Sequence, residues 1–394
     1  MKPLRSKSIV GIIELTLILT LGCLTSQGQS RNISVLAGTP QRTRVLKTSG
    51  LPAAPKTILW KTKSLFDYRP ATQRGSNTGA AWVLKHYPTL TPPIAADGVL
   101  YFTFGESDSS VFAIDSNTGK RLVVLTFRKT KVSDPTASGS VVFFGTESGS
   151  VRAYDIKKRS DLWMFEEKGE SFSDGPPMFD GELVYVLGRK GSLYAIEAET
   201  GKLKWKYKSG PSLRSPAIDG NRVIVVSIEG SLMALDRNTG STLWQVPIDS
   251  NSGPPSILDE QIFLVHKDRD IQAYSIADGS LKWKSKHSGG AGTELVLFNK
   301  TVYYGGPENN IIGLDSATGS EKLRFKTVAN CRNPLIAGDL LYVGCEKKRL
   351  YALDPSTLEQ KWVLENKQDG PPPPVFLDGV MYFLASDGHM YAMK

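Results

Sequence analysis

Seven residues carry the side chains from which nucleophilic, redox or metal chemistry is most often built: Cys23, Cys331, Cys345, His86, His266, His287 and His389. Their spacing assembles none of it. No CxxC, no HExxH and no Cys/His grouping at metal-ligand spacing occurs, and there is no GxSxG turn and no phosphate-cradling glycine loop. What does recur is an acidic turn, Asp-x-x-Thr-Gly, as in Asp115–Gly119, Asp236–Gly240 and Asp315–Gly319. One copy alone would pass for a calcium loop. Repetition points instead to hairpin turns, in which Asp caps its own backbone and Gly takes the positive-φ position. The sequence therefore predicts no catalytic residue, no cofactor-binding residue and no metal site. Nucleic acid is a poor partner, because no dense basic run appears beyond Lys347-Lys348-Arg349.

The elements that carry these turns repeat with a fixed period. The acidic position falls at Asp115, Asp155, Glu197, Asp236, Ser275, Asp315, Asp354 and Lys394, at spacings of 39 to 42 residues. Two places earlier stands a small residue: Ala113, Ala153, Ala195, Ala234, Ala273, Gly313, Ala352 and Ala392. Eight places later stands Trp163, Trp205, Trp244, Trp283 or Trp362, with Val123 and Leu323 replacing it in two copies. A period near 40 with strand-like patterning means an all-β propeller, each repeat being one blade of four antiparallel strands. Ser215–Pro247 shows the unit: Pro216-Ala217-Ile218, then Arg222–Ser227, Ser231–Asp236, and Ser241–Val246 carrying Trp244. The second strand is apolar on both faces, as a blade sandwiched between blades requires.

Lys394 falls at the end of a third strand, so the last blade lacks its fourth. An orphan fourth strand, Lys56–Lys63 with Trp60, lies near the N-terminus and resembles Leu203–Lys208. The expected architecture is an eight-bladed ring over residues 56–394, closed by the N-terminal strand completing the last blade, which removes two exposed sheet edges. Trp82 is the one tryptophan out of register.

Residues 1–22 read as an export signal. Lys2, Arg5 and Lys7 precede an apolar stretch from Ile9 to Leu21 that is too short, and too interrupted by Glu14, to span a bilayer. It ends in Gly22-Cys23, which resembles a lipobox and makes Cys23 the candidate lipidation site; Ser26-Gln27-Gly28 offers an ordinary cleavage site instead. Removing residues 1–22 lowers the formal charge from +9 to +7, a weak bias toward anionic partners. Residues 23–55 are polar and read as a tether with an r.m.s. reach of about 30 Å. In an oxidising compartment Cys331 and Cys345, almost opposite across one hairpin, are a possible disulfide.

The run from Tyr194-Ala195-Ile196-Glu197 through Thr200-Gly201 to Trp205 resembles the PQQ-like repeat, and the resemblance covers residues 56–394. Two groups share that repeat: quinoprotein dehydrogenases, and the non-enzymatic BamB lipoproteins of outer-membrane barrel assembly. The signal with Gly-Cys, the short tether and the near-minimal blades favour the second. Quinoprotein dehydrogenases are usually longer, with elaborated loops for quinone and calcium and often a vicinal Cys pair, which this chain lacks. The resemblance implies a monomeric ring held to the membrane by a lipid anchor only, on the periplasmic face of the outer membrane, without enzymatic activity. The resemblance also implies envelope proteins as partners, the barrel assembly complex being one candidate. In BamB-like proteins a loop with Leu and Arg contacts a partner domain, and Gly210–Ser215 looks similar, which nominates Leu213 and Arg214.

Two further features fall on the same loop face. The long connection Ser64–Leu90 carries Trp82 and Tyr87, either as a partner or ligand contact or as a plug over the first blade. The charged loops His266–Asp270 and Glu346–Arg349 read as solvated charge, with a partner-docking rim as the alternative. The competing functions are a PQQ-dependent oxidoreductase and an envelope glycan or small-ligand binder using the Ser64–Leu90 aromatics.

Overall fold

The structure, a computed structural model, describes residues 33–34, 45–46, 55, 57–62, 93–105, 108–210, 212–266, 270–288, 294–345, 349–365, 374–384 and 389–394. Cys23, Trp82 and Tyr87 lie outside these residues, as does the whole of Ser64–Leu90.

Eight antiparallel blades are present, each ordered a-b-c-d from the channel outward. Blade 4 shows how the repeat becomes structure. Its strands are Ala217–Asp219, Arg222–Ser227, Ser231–Asp236 and Thr242–Pro247. On strand b, Val223 and Val225 pack toward blade 3, while Ile224 and Val226 pack toward blade 5. The same holds around the ring, so the core is eight apolar clusters, one in each seam between neighbouring blades. The Asp of the repeat is consumed by its own turn. Asp236 Oδ1 accepts from the Asn238 and Thr239 N–H groups at 2.9 Å each, and Gly240 closes the turn at φ 72°.

Five of the eight seams are fastened by the repeat's tryptophan. The ring lies opposite the small residue of strand c: Ala195 pairs with Trp205, Ala234 with Trp244, Ala273 with Trp283. A methyl or hydrogen there leaves room for the indole, and a bulge follows directly. The indole then reaches into the next blade. Its Nε1–H donates to the carbonyl one residue after that blade's Asp: Trp60 to Ser116, Trp163 to Ala198, Trp205 to Arg237, Trp244 to Ile276 and Trp283 to Ser316, at 2.8–3.1 Å. Its face lies on the turn glycine. A Cβ on Gly240 would stand 2.6 Å from Trp205, and one on Gly319 would stand 2.4 Å from Trp283.

The exceptions obey the same rule. Val123 and Leu323 replace Trp in blades 1 and 6, and the turns they face, in blades 2 and 7, carry Arg159 and Leu358 where the others carry Gly. Those two residues hold the same backbone conformation, φ 57° each; Leu358 is buried in its seam, while Arg159 is exposed. Ile156 and Leu358 fill the seams instead.

Three strands precede blade 1: β1 (Ile33–Ser34), β2 (Val45–Leu46) and β3 (Ile58–Lys61). β3 pairs antiparallel with Met390–Met393 as strand d of blade 8, and Thr57 and Lys394 exchange both backbone hydrogen bonds at 3.0 Å. The expected closure is therefore present, and Trp60 carries the fastening from blade 8 into blade 1. Because strand d of blade 8 comes from β3, no c–d turn faces Trp362, and its Nε1 has no hydrogen-bond partner among the described residues. β1 and β2 belong to the segment expected to be a flexible tether. They pair with the inner strands of blade 2 (Thr136–Ser138) and blade 7 (Cys331–Ala337).

Trp205→Ala removes a buried indole and its hydrogen bond and is expected to cost about 3–5 kcal/mol in urea denaturation. Trp205→Phe should cost about 1 kcal/mol more than Trp362→Phe, because only the first loses a hydrogen bond. Equal losses would show that the carbonyl contact contributes nothing.

Candidate functional site

The d–a and b–c loops share one face of the ring, and a cleft of about 460 Å³ opens there over blades 3 to 5. Asp174, Arg189, Leu213, Arg214, Asn251 and Pro254 line it. The d–a loop before blade 4 builds one wall. Arg214 N–H donates to Val226 O at 2.8 Å, Ile228 N–H donates to Ser212 O at 3.0 Å, and Leu213 bridges to Ser227. The loop thus runs as an extra rung on the end of strand b.

This strapping turns Leu213 toward the core. Its side chain is 8% exposed and packs among Tyr185, Trp205 and Met233, forming part of the cleft floor rather than a projecting anchor. Arg214 does face the cleft. Its Nε–H donates to Ser252 O at 3.1 Å, and among the described residues no carboxylate pairs with it. The other guanidinium is neutralised. Arg189 grips Asp174 through Nε and Nη2 at 2.9 Å each, and this fork holds the Asp174 carboxyl below the usual carboxylate range. Among the described residues the cleft therefore presents one cation without a carboxylate partner, above the buried Leu213.

A polar relay that the sequence did not disclose lies behind Arg214. His266 and Asp270, expected on a solvated loop, are buried, because His266 N–H pairs with Asp270 O at 2.9 Å and turns both side chains inward. Ser252 donates its hydroxyl proton to Asp249 O at 2.7 Å, so it accepts from His266 Nδ1–H at 2.8 Å. His266 Nε2 faces the Tyr274 hydroxyl at 3.2 Å. That hydroxyl donates to Gln272 Oε1, whose amide donates to Asp270, which Lys284 pairs at 3.1 Å. Burial pushes the His266 imidazole below the usual histidine value, against the pull of Asp270 and Asp249. Ser252, His266, Tyr274, Gln272 and Asp270 are buried, Lys284 caps the relay at the surface, and the relay holds Ser252 beneath Arg214. The sequence signal was faint: a His and an Asp bracketing a charged loop.

Cys331 and Cys345 are direct register partners across strands a and b of blade 7, and the structure joins them in a disulfide at the loop-face end. Both are buried. Among the described residues no group of His, Cys, Asp or Glu has the arrangement of a metal site.

Eight a-b-c-d blades with a Trp-to-turn fastening define a propeller of the PQQ-like repeat class. The chain belongs to the family described as outer membrane protein assembly factor BamB, whose model matches residues 56–172, 149–250, 214–322 and 267–394. Among solved structures, BamB from Moraxella catarrhalis is 17% identical with a TM-score of 0.59, covering 78% of this chain and 96% of that one. Quinohemoprotein alcohol dehydrogenase from Comamonas testosteroni is 14% identical with a TM-score of 0.65, covering 92% and 81%. At such identities the likeness establishes the fold. Among curated relatives, the dehydrogenase subunit of the quinone alcohol dehydrogenase of Acetobacter aceti is 28% identical over 193 residues, 39% of this chain and 25% of that protein. Quinoprotein alcohol dehydrogenase PedH of Pseudomonas putida is 30% identical over 131 residues, 29% of this chain and 22% of that protein. The matched stretch spans a quarter or less of these relatives.

Two outcomes follow from the geometry. Above about pH 6.5 His266 is neutral in both folded and unfolded chains and adds no pH dependence. Below it the unfolded chain takes up a proton that the buried site resists, so stability falls as pH falls toward the lowered folded value. Between pH 7.5 and 5.5 the wild-type melting temperature should drop more than that of His266→Gln; parallel profiles would contradict this. Thiols of Cys331 and Cys345 should label in denaturant only after reduction, and reduction should cost about 3 kcal/mol for a loop of this length.

Proposed function

We propose that this protein is a non-catalytic, protein-binding scaffold of the bacterial cell envelope, with a BamB-like part in outer-membrane protein assembly. Export by residues 1–22 and lipidation at Cys23 would place it on the periplasmic face of the outer membrane. Family membership over the ring supports the reading. The observation that carries it is Arg214, a cation that no carboxylate among the described residues pairs, in a cleft floored by Leu213, to which a partner's carboxylate beside an apolar side chain is complementary. Burying such a pair makes a charge-assisted hydrogen bond in a partly desolvated site, a contact worth about 1.5–3 kcal/mol.

Crosslinking the tagged protein in its own envelope should capture the barrel-assembly protein. Arg214→Glu should lower that yield about tenfold or more, since about 1.4 kcal/mol is a factor of ten, while leaving the melting temperature within two degrees or so. Unchanged capture would remove Arg214 from the interface. The quinoprotein relatives support a second reading, a PQQ-dependent oxidoreductase. Calcium-dependent uptake of added quinone, seen as bound-quinone absorbance, separates the two: the scaffold reading expects none.

A further inference from the structure

The inner strand of every blade pairs with strand b on one side only, leaving backbone N–H and C=O groups along its other edge, toward the channel. Two of the eight edges are taken. β1 pairs antiparallel with the inner strand of blade 2, Ile33 opposite Ser138 and Ser34 opposite Ala137. β2 pairs parallel with the inner strand of blade 7, Val45 opposite Ile336 and Leu46 opposite Ala337. Each also touches the blade before: β1 lies against Ile94–Ala96 of blade 1, and β2 against Val296–Phe298 of blade 6.

Those two pairs of blades enclose the seams, 1–2 and 6–7, in which Val123 and Leu323 stand where a tryptophan fastens the others. The polarity fits one path. All inner strands run from the loop face to the turn face, so β1 runs against them and β2 with them. β1 therefore begins, and β2 ends, toward the turn face, where β3, as a strand d, also starts. Blade 7 is built for this load. Its inner strand spans seven residues where the others span two or three, and the Cys331–Cys345 disulfide clamps it to strand b.

We propose that the channel wall at seams 1–2 and 6–7 is a binding surface for extended peptide, and that its occupant is this chain's own N-terminal segment, bound by strand addition. β1 braces blades 1 and 2, and β2 braces blades 6 and 7, at the two seams in which Val123 and Leu323 replace the indole.

The test uses the full chain with Ile33→Pro, Ser34→Pro, Val45→Pro and Leu46→Pro, which removes the N–H groups of both strands without touching the seams. Amide exchange in the inner strands of blades 2 and 7 should quicken at least tenfold, with that of blade 4 unchanged. A synthetic peptide of residues 31–48 added in trans should restore protection, and should bind the substituted protein at least tenfold more tightly than the wild type. Unchanged exchange at blades 2 and 7, or equal quickening at blade 4, would overturn the proposal, as would equal peptide binding by both proteins or binding by neither. In the wild type, amides 33–34 and 45–46 exchanging as fast as in the free peptide would overturn it independently.

Discussion

The indole laid on a glycine of the neighbouring blade is the contact on which the rest of the ring depends. Blades touch through a wedge that widens outward, and aliphatic side chains from strands b and c fill its narrow part. The wide part needs a large flat group, and Trp supplies it together with one donor that must find an acceptor. The acceptor is a turn carbonyl in the next blade. The turn must be glycine because the ring presses where a Cβ would be. The residue across the strand must be small because the indole passes over it. Three repeat positions that look unrelated in sequence thus answer to one object, and blades 2 and 7 show all the more clearly why: with the indole gone, the glycine goes too.

Fastening the blades at the rim lets the loop face carry a cleft as well as packing contacts. The cleft around Arg214 can hold an unpaired charge because the seams beneath it are already apolar and closed. The Ser252–His266–Tyr274 relay has the opposite character. It is a buried polar chain that fixes the carbonyl against which Arg214 leans, and among the described residues no carboxylate holds the cation.

Much of this was legible in the residues. Spacing near 40, the small residue before the Asp, and Trp60 far from its blade were enough to expect eight blades and the closing strand, because each is a local consequence of one repeated contact. The loop face was not legible in the same way. Leu213 reads as a surface leucine until the backbone rung with Ser227 is seen to turn it into the core. His266 reads as a loop charge until Ser252, fourteen residues before it, and Tyr274, eight after it, are brought to either side of its ring. The strands β1 and β2 sit in a segment whose composition signals only polarity; what orders them is the pair of open edges elsewhere in the chain.

The central claim is that Trp205 and Gly240 act as one unit, and a double-mutant cycle measures it most directly. Gly240→Ala should be strongly destabilising in the wild type, from the clash with the indole as well as from its φ. In a Trp205→Ala background the clash is gone and only the backbone cost of about 1 kcal/mol remains. The account predicts a coupling energy of about 1 kcal/mol or more between the two sites. Additive losses, within about 0.3 kcal/mol, would contradict it.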